Sequence, residues 1–404
     1  MDSLTQIVLG ASVGELCLSK KIGNKAMLWG AVAGTIPDLD VLANPFMSRA
    51  ESLAFHRGIS HSFFFSVLGA FVFAWLVHSL YKKTWHLKFE KIFASSLMFF
   101  VALILCAIGV MLKSNLVSLI IYILIIAMSW WFYQKRIIGS YTKSISTEHP
   151  DYKDWVVLFF FGFVTHIILD SLTAYGTQLF APFSDVRIAF ANISVADLFY
   201  TIPFLTGLII SSLQSDFKKK RWWNYAGIII SSLYMIWTIF HRQQITTVLE
   251  NTIESKELEY KKYSITPSIL QNFLWSATIE TDTSFYHGTY SDFDKEKIFK
   301  TKEVLKNHHL IADAKDDDKT INILKWFTND YYMCLVRQDG RVQLNDMRYG
   351  TFRGSDYGED DFIFKFILEK DSKGYYFITD EAGRPSPEDR EAMMPLLIER
   401  IKGI

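Results

Sequence analysis

Long apolar runs alternate with short polar loops over residues 1–240, and the pattern changes over 241–404 to mixed polar and apolar positions. A membrane-crossing helix needs about 20 predominantly apolar residues. Residues 62–81, 92–112 and 116–133 meet that requirement, and 155–173, 196–213 and 224–240 also qualify, so six clear spans are predicted. Two weaker helices precede them. Residues 3–19 contain Gly10 and Gly14, and 26–42 contain Gly30, Gly34 and Pro37. Small residues at such spacing let two helices approach closely. The pair forms either two full spans or a hairpin dipping into the membrane, and both options return the chain to its starting side.

After the last span, Ile245, Val248, Leu249 and Ile253 recur near helical spacing, predicting a helical stalk over 241–262. Runs rich in β-branched and aromatic residues predict strands at 321–327, 331–337, 361–368 and 374–379. A final helix is signalled at Ser386, with Pro387 at its first position and Asp389 in its first turn. The expected fold is mainly α: a multi-pass transmembrane helical bundle over 1–240, the stalk, and a small α+β soluble domain over 263–404. His287, His308 and His309 in that domain show no ligand spacing and read as solvated surface residues, and Asp316–Asp318 as a loop.

Charge decides orientation. Lys and Arg number 42, as do Asp and Glu, so no global field favours nucleic acid or an anionic surface. One alternate set of loops (20–25, 82–91, 134–154, 214–221) carries 15 basic residues, whereas the other (44–61, 113–115, 174–195) carries only Arg49, Arg57, Lys113 and Arg187. The positive-inside rule places the first set in the cytoplasm and the C-terminal domain outside it. The start, MDSLTQ, lacks the basic n-region of a cleavable signal. Cys17, Cys106 and Cys334 are too few and scattered for a disulfide framework or a CxxC metal site.

Seven ionisable residues stand out against this apolar background: Asp38 and Asp40 in IPDLD, His56 and His61 in FHRGISH, His166 and Asp170 in THIILD, and Asp197 in VADLFY. Such groups beside or inside spans are costly to place and are functional candidates by default. Imidazole with carboxylate is the ligand set of zinc and similar divalent ions. All seven fall on the outer side. His166 and Asp170, four apart, share one helical face; without a metal they would form a buried hydrogen-bonded pair. Asp38 and Asp40 follow Pro37, which disfavours helix at Ile36. An irregular exit can turn both toward one cation, and a polar helix end is the plainer alternative. His56 and His61 converge only if the chain turns between them, with Gly58 as the candidate turn; otherwise they belong to an interfacial loop. Arg57 beside them can hold a phosphate or carboxylate through its guanidinium fork. Asp197 alone reads as a helix cap. Three segments each bringing a polar pair to one membrane face favour a shared metal site.

Met1–Gly10 (MDSLTxxxxG), Pro37–Asp40 (PDLD), His56–Ser62 (HRGxSHS), Thr165–Asp170 (THxxLD), Tyr175–Ser184 (YGTQLFxPFS) and Asp197 together resemble the YdjM-like membrane-bound metal-dependent hydrolases, over about residues 1–213. The resemblance implies a bacterial inner-membrane protein similar to zinc-dependent phospholipases C. In it Asp38, Asp40, His56, His61, His166, Asp170 and Asp197 are metal ligands or their close supports, joined by Asp2. Many relatives carry His where this chain has Gln6. An amide is a poor zinc ligand, so Gln6 either supports a ligand from behind or leaves a metal position weakened. The tail after 240 lies outside the pattern.

The expected activity is metal-dependent hydrolysis of an amphiphilic, phospholipid-like ester or phosphoester at the outer face of the cytoplasmic membrane. One or two divalent ions, zinc first, would serve it, with Arg57 steadying a phosphoryl group and Asp40 or Asp197 as general base. No GxSxG, HExxH or P-loop pattern occurs. An ion-coupled transporter would instead spread polar residues through the membrane depth and repeat its halves. A non-catalytic metal-binding or assembly protein would close the site with four protein ligands. The partners implied are the lipid bilayer and an amphiphilic or lipid substrate, with a protein partner for the C-terminal domain left open.

Overall fold

The computed structural model of the chain describes residues 1–82, 150–351, 358–379 and 387–403, with a few isolated positions between 92 and 130. The spans expected at 92–112 and 116–133 lie outside the described residues.

The chain opens with a helical hairpin, α1 (Ser3–Ile22) and α2 (Lys25–Thr35). Asp2 caps α1 by accepting from the Thr5 amide, and Gly23 ends it with φ of 60°. The two helices touch backbone to backbone through the four glycines. A methyl group on Gly30 would lie 2.1 Å from the Gly10 carbonyl oxygen, and one on Gly14 2.1 Å from that of Ala26. Regular α geometry ends at Pro37, but Ile36 itself stays helical with φ of −54° and ψ of −44°, so the expected disfavouring of helix at Ile36 is corrected. The chain bends by 45° into a 3-10 helix over Pro37–Phe46.

A short helix α3 (Arg49–Phe55), held by a Ser48–Glu51 capping box, and a single 3-10 turn at Ile59–His61 lead into α4 (Phe63–Lys82). Helix α5 (Tyr152–Ser171) packs against α4 and the hairpin. Trp29, Ala33, Ala70, Ala74, Trp155, Phe159 and Phe163 form their shared core. Helices α6 (Leu198–Leu213) and α7 (Phe217–Ser255) pair beside α1. Among the described residues α4, α5 and α7 are long and apolar enough to cross a membrane, three where the sequence predicts four, or four if the bent α2 segment counts as one. Helix α6 is apolar but only 16 residues long.

Helix α7 continues without a break from the span into the stalk. That stalk is core rather than a solvated spacer: Ile245, Leu249 and Ile253 lie buried under the first sheet with Trp275, Ile279 and Phe299. This sheet is an antiparallel meander of β1 (Lys262–Pro267), β2 (Leu274–Glu280), β3 (Ser284–Ser291) and β4 (Lys300–Leu305). A second meander holds β5 (Tyr332–Val336), β6 (Val342–Asp346), β7 (Lys365–Lys370) and β8 (Tyr376–Ile378). Between the sheets runs α8 (Lys319–Thr328), where the sequence predicts a strand at 321–327. Asp318 caps that helix on the Ile321 amide at 3.1 Å, and Ile321, Leu324 and Phe327 bury one helical face, a period that outweighs the β-like composition. Helix α9 (Pro387–Ile401) closes the domain.

One correction concerns the tail histidines. His287 is 2 % exposed, its Nδ1 is 2.8 Å from Thr278 Oγ1, and burial depresses its pKa to about 4. His308 is stacked on Tyr332. The C-terminal domain sits on one end of the helical bundle. Arg49 donates to the Thr379 carbonyl at 2.9 Å, Leu270 and Asn272 pair with the 192–198 backbone, and Leu53 and Tyr175 pack against the core of the second sheet.

Candidate metal centre

The same end of the bundle gathers the polar residues. The 3-10 helix after Pro37 delivers Asp38, the turn before α4 delivers His61, and the last turns of α5 deliver His166 and Asp170. These four offer ligand atoms that all lie within 4.8 Å of one another. His61 Nε2 lies 3.2 Å from His166 Nε2, 3.3 Å from Asp38 Oδ1 and 3.4 Å from Asp170 Oδ2. His166 Nε2 lies 3.6 Å from Asp38 Oδ1 and 3.3 Å from Asp170 Oδ2. Four donors around one zinc ion at about 2.0–2.1 Å are separated by roughly 3.3 Å. The five separations given are thus those of a tetrahedral set.

Protonation supports the fit. His166 Nδ1 donates to the Gly34 carbonyl at 2.8 Å, which leaves Nε2 as the lone-pair nitrogen of the neutral ring. Asp170 Oδ2 is buried without a hydrogen bond, and an orphaned carboxylate oxygen is costly unless a cation faces it. Burial opposes an imidazolium at His61, but the facing carboxylates of Asp170, Asp38 and Asp40 outweigh it and raise its pKa to about 10. The cluster demands a positive charge at its centre, and a metal ion entering it must displace that proton. The residues present therefore fit a divalent ion. His61, His166 and Asp170 are fully enclosed, while the Asp38 side chain keeps 19 % of its surface open.

The remaining residues stand one step back. Asp40 Oδ2 accepts from the Arg57 amide at 3.0 Å and from Ser60 Oγ at 3.1 Å, and lies 3.4 Å from His61 Nδ1; its Oδ1 lies 3.0 Å from His56 Nδ1. Asp40 therefore orients both histidines, and His56 is outside the group of four. The turn that brings these residues together is made at Arg57 rather than Gly58: Arg57 takes φ of 59°, a left-handed conformation that a non-glycine residue adopts only at a cost. Gln6 serves a ligand from behind, donating to Asp170 Oδ1 at 3.0 Å. That oxygen also faces the Met1 amine and, at 3.3 Å, Arg57 Nη2. Asp2 caps α1. Asp197 caps α6, accepting from the Phe199 and Tyr200 amides and the Tyr234 hydroxyl, so its carboxylate is engaged away from the four. Changing Asp40 to Asn keeps every donor of the group but loosens His61. It should weaken metal affinity about 10–100-fold, read by competition with a chelator.

Sequence spacing does not reveal the Gly34 carbonyl that fixes the His166 ring, because a backbone acceptor has no residue-type signal. No curated protein matches the chain. No solved structure matches it either. A family model described as YdjM inner membrane protein matches residues 1–112 and 114–245, more than half of the chain. The match spans all four donors, the glycine hairpin beneath them, the apolar helices α4 and α5 and α7 as far as residue 245, and on that ground the chain belongs to the YdjM inner membrane protein family.

Proposed function

We propose that the protein is a metal-dependent hydrolase acting on an amphiphilic ester or phosphoester at a membrane surface. The observation that carries this reading is the convergence of Asp38, His61, His166 and Asp170 around an orphaned carboxylate oxygen at one end of an apolar bundle. The rim nearby suits a lipid surface: in the segments adjoining the site, Leu42, Phe46 and Phe183 are 67 %, 88 % and 82 % exposed. A divalent ion, zinc first, held by those four residues would supply Lewis-acid polarisation and a lowered water pKa.

The surrounding residues have distinct tasks. Asp40 holds His56 at Nδ1 and leaves its Nε2 without a hydrogen bond among the described residues, so His56 takes a proton at Nε2 while Asp40 stabilises the imidazolium. Arg57, 4 % exposed, fixes Asp170 on one side and steadies an anionic group on the other. The asymmetry of basic residues between the two sets of loops favours a site and a C-terminal domain outside the cytoplasm. A cysteine introduced in the tail should then react with an impermeant reagent in cells whose outer membrane alone is permeabilised, and labelling only after full lysis would reverse the orientation.

Four protein donors are also the complement of a closed, structural metal site, which is the second reading. Turnover of fluorogenic phospholipid and carboxylic-ester substrates by detergent-purified full-length protein separates the two. The hydrolase reading expects turnover that falls about 100-fold or more in His56→Ala with metal content unchanged. Turnover equal in wild type and His61→Ala, or none on either substrate class with metal bound, would sink it.

A further inference from the structure

Arg187 lies in the loop between α5 and α6, beside the metal centre. Its guanidinium carbon is 4.2 Å from the Tyr175 ring centroid, 5.1 Å from that of Phe327 and 5.4 Å from that of Trp326. Tyr175 belongs to the bundle, and Trp326 and Phe327 to α8 of the C-terminal domain, so this cation sits in the seam between them. Arg57 stands over the same Tyr175 ring, 4.8 Å from its centroid. The two guanidiniums differ in what they face. Arg57 reaches Asp170, whereas Arg187 has no carboxylate within 4.0 Å among the described residues; its Nη2 donates to the Gly176 carbonyl at 3.5 Å, and its side chain also meets Tyr175.

The donors left over point to a ligand. Arg187 Nε and Nη1, Arg57 Nε and the Tyr349 hydroxyl are all buried without hydrogen bonds. Arg348, the other cation nearby, is already neutralised by Asp346 at 2.6 Å. Stacking on aromatic faces recovers part of the cost of burying a guanidinium, but leaves its N–H groups unmade and its charge unanswered. A guanidinium with two buried, unmade donors, flanked by a second guanidinium and a phenol, is the arrangement that an oxyanion completes, and a guanidinium fork matches phosphoryl oxygens in pairs.

We propose that this seam is a phosphoryl-anion subsite built on Arg187, with Arg57 Nε and the Tyr349 hydroxyl as further donors. It deepens the hydrolase reading and rests on it for the identity of the anion: a phosphate carried by the substrate or released from it. Because Trp326, Phe327 and Tyr349 belong to the C-terminal domain, the anion would also tie that domain to the bundle. The tail then completes the substrate site.

The test uses the full-length protein in its metal-loaded form. Its unfolding temperature is measured against inorganic phosphate in detergent, with chloride at equal ionic strength as reference. A second arm uses nanodiscs of phosphatidylcholine with and without phosphatidylglycerol. The expected result is a saturable, phosphate-specific rise in wild type that is lost in Arg187→Gln, reduced in Tyr349→Phe and partly kept in Arg187→Lys, with metal content unchanged in all. A shift produced by phosphatidylglycerol and dependent on Arg187 identifies a lipid headgroup as the source; a shift with inorganic phosphate alone identifies the free anion. No phosphate-specific rise in wild type, or an equal rise in Arg187→Gln, overturns the subsite. If Arg187→Gln does not fold, the wild-type titration and Tyr349→Phe decide. Metal content is read separately, so loss of the metal reading and loss of this subsite are distinguishable.

Discussion

Replacing Asp170 by alanine should empty the metal centre and destabilise the bundle by about 3–5 kcal/mol. Both effects follow from how the two oxygens are used. Oδ2 is the donor that faces His61 and His166. Oδ1 is the counter-anion for Arg57, and accepts from the Met1 amine and Gln6. Deleting the carboxylate leaves the buried Arg57 guanidinium unanswered, which costs more than the pair itself contributes. Asp170→Asn keeps the shape but not the charge, and should lose metal with a smaller loss of stability. His61→Ala is the comparison. It removes one donor and, in the metal-free protein, the imidazolium that answers Asp38, Asp40 and Asp170, so it should lose metal and unfold below the temperature of chelator-treated wild type. Thermal unfolding in detergent together with metal analysis reads all three. An Asp170→Ala protein with wild-type metal and stability would refute this division of labour.

Gly34→Ala is the second substitution with a large expected effect, although it touches no donor directly. A methyl group there would lie 2.4 Å from the Gln6 carbonyl oxygen and 3.1 Å from Gly10 Cα, both rigid backbone. The hairpin must open, and overpacking of this kind costs about 1–3 kcal/mol. The consequence reaches the metal centre because the Gly34 carbonyl holds His166 Nδ1 and Gln6 holds Asp170. Metal affinity should fall about 10–100-fold, as it does when a ligand's outer partner is lost. Gly23→Ala is the comparison: a methyl group there meets nothing within 4 Å, and its φ of 60° makes the cost one of local backbone strain alone. Metal loss in Gly23→Ala equal to that in Gly34→Ala would show that the effect is general instability rather than displacement of His166.

The residues of the site were legible because ionisable groups are rare on an apolar background, and the i, i+4 spacing of His166 and Asp170 admits one face of one helix. Which atoms face inward was not. That Asp38 joins the group while Asp40 turns to His56 and His61 depends on the 3-10 geometry after Pro37 and on the left-handed Arg57, and neither follows from residue type. The close hairpin was signalled by its glycines, but not the fact that one of their carbonyls orients a histidine. In the tail, residues 262–305 form a four-stranded sheet that escaped the sequence reading, because β3 and β4 (SFYHGTYS and KTKEVL) lack the apolar alternation that marks a strand. INILKWF erred the other way: its β-like composition hid a helical period and the Asp318 cap.

The central claim is that separate segments share one divalent ion at the end of the bundle, and metal content tests it most directly. Detergent-purified full-length protein should carry about one zinc or similar ion per chain by elemental analysis. A His166→Ala Asp170→Ala variant purified in parallel should carry none above background. Equal metal in the two proteins, or none in wild type after exposure to zinc, would contradict the account.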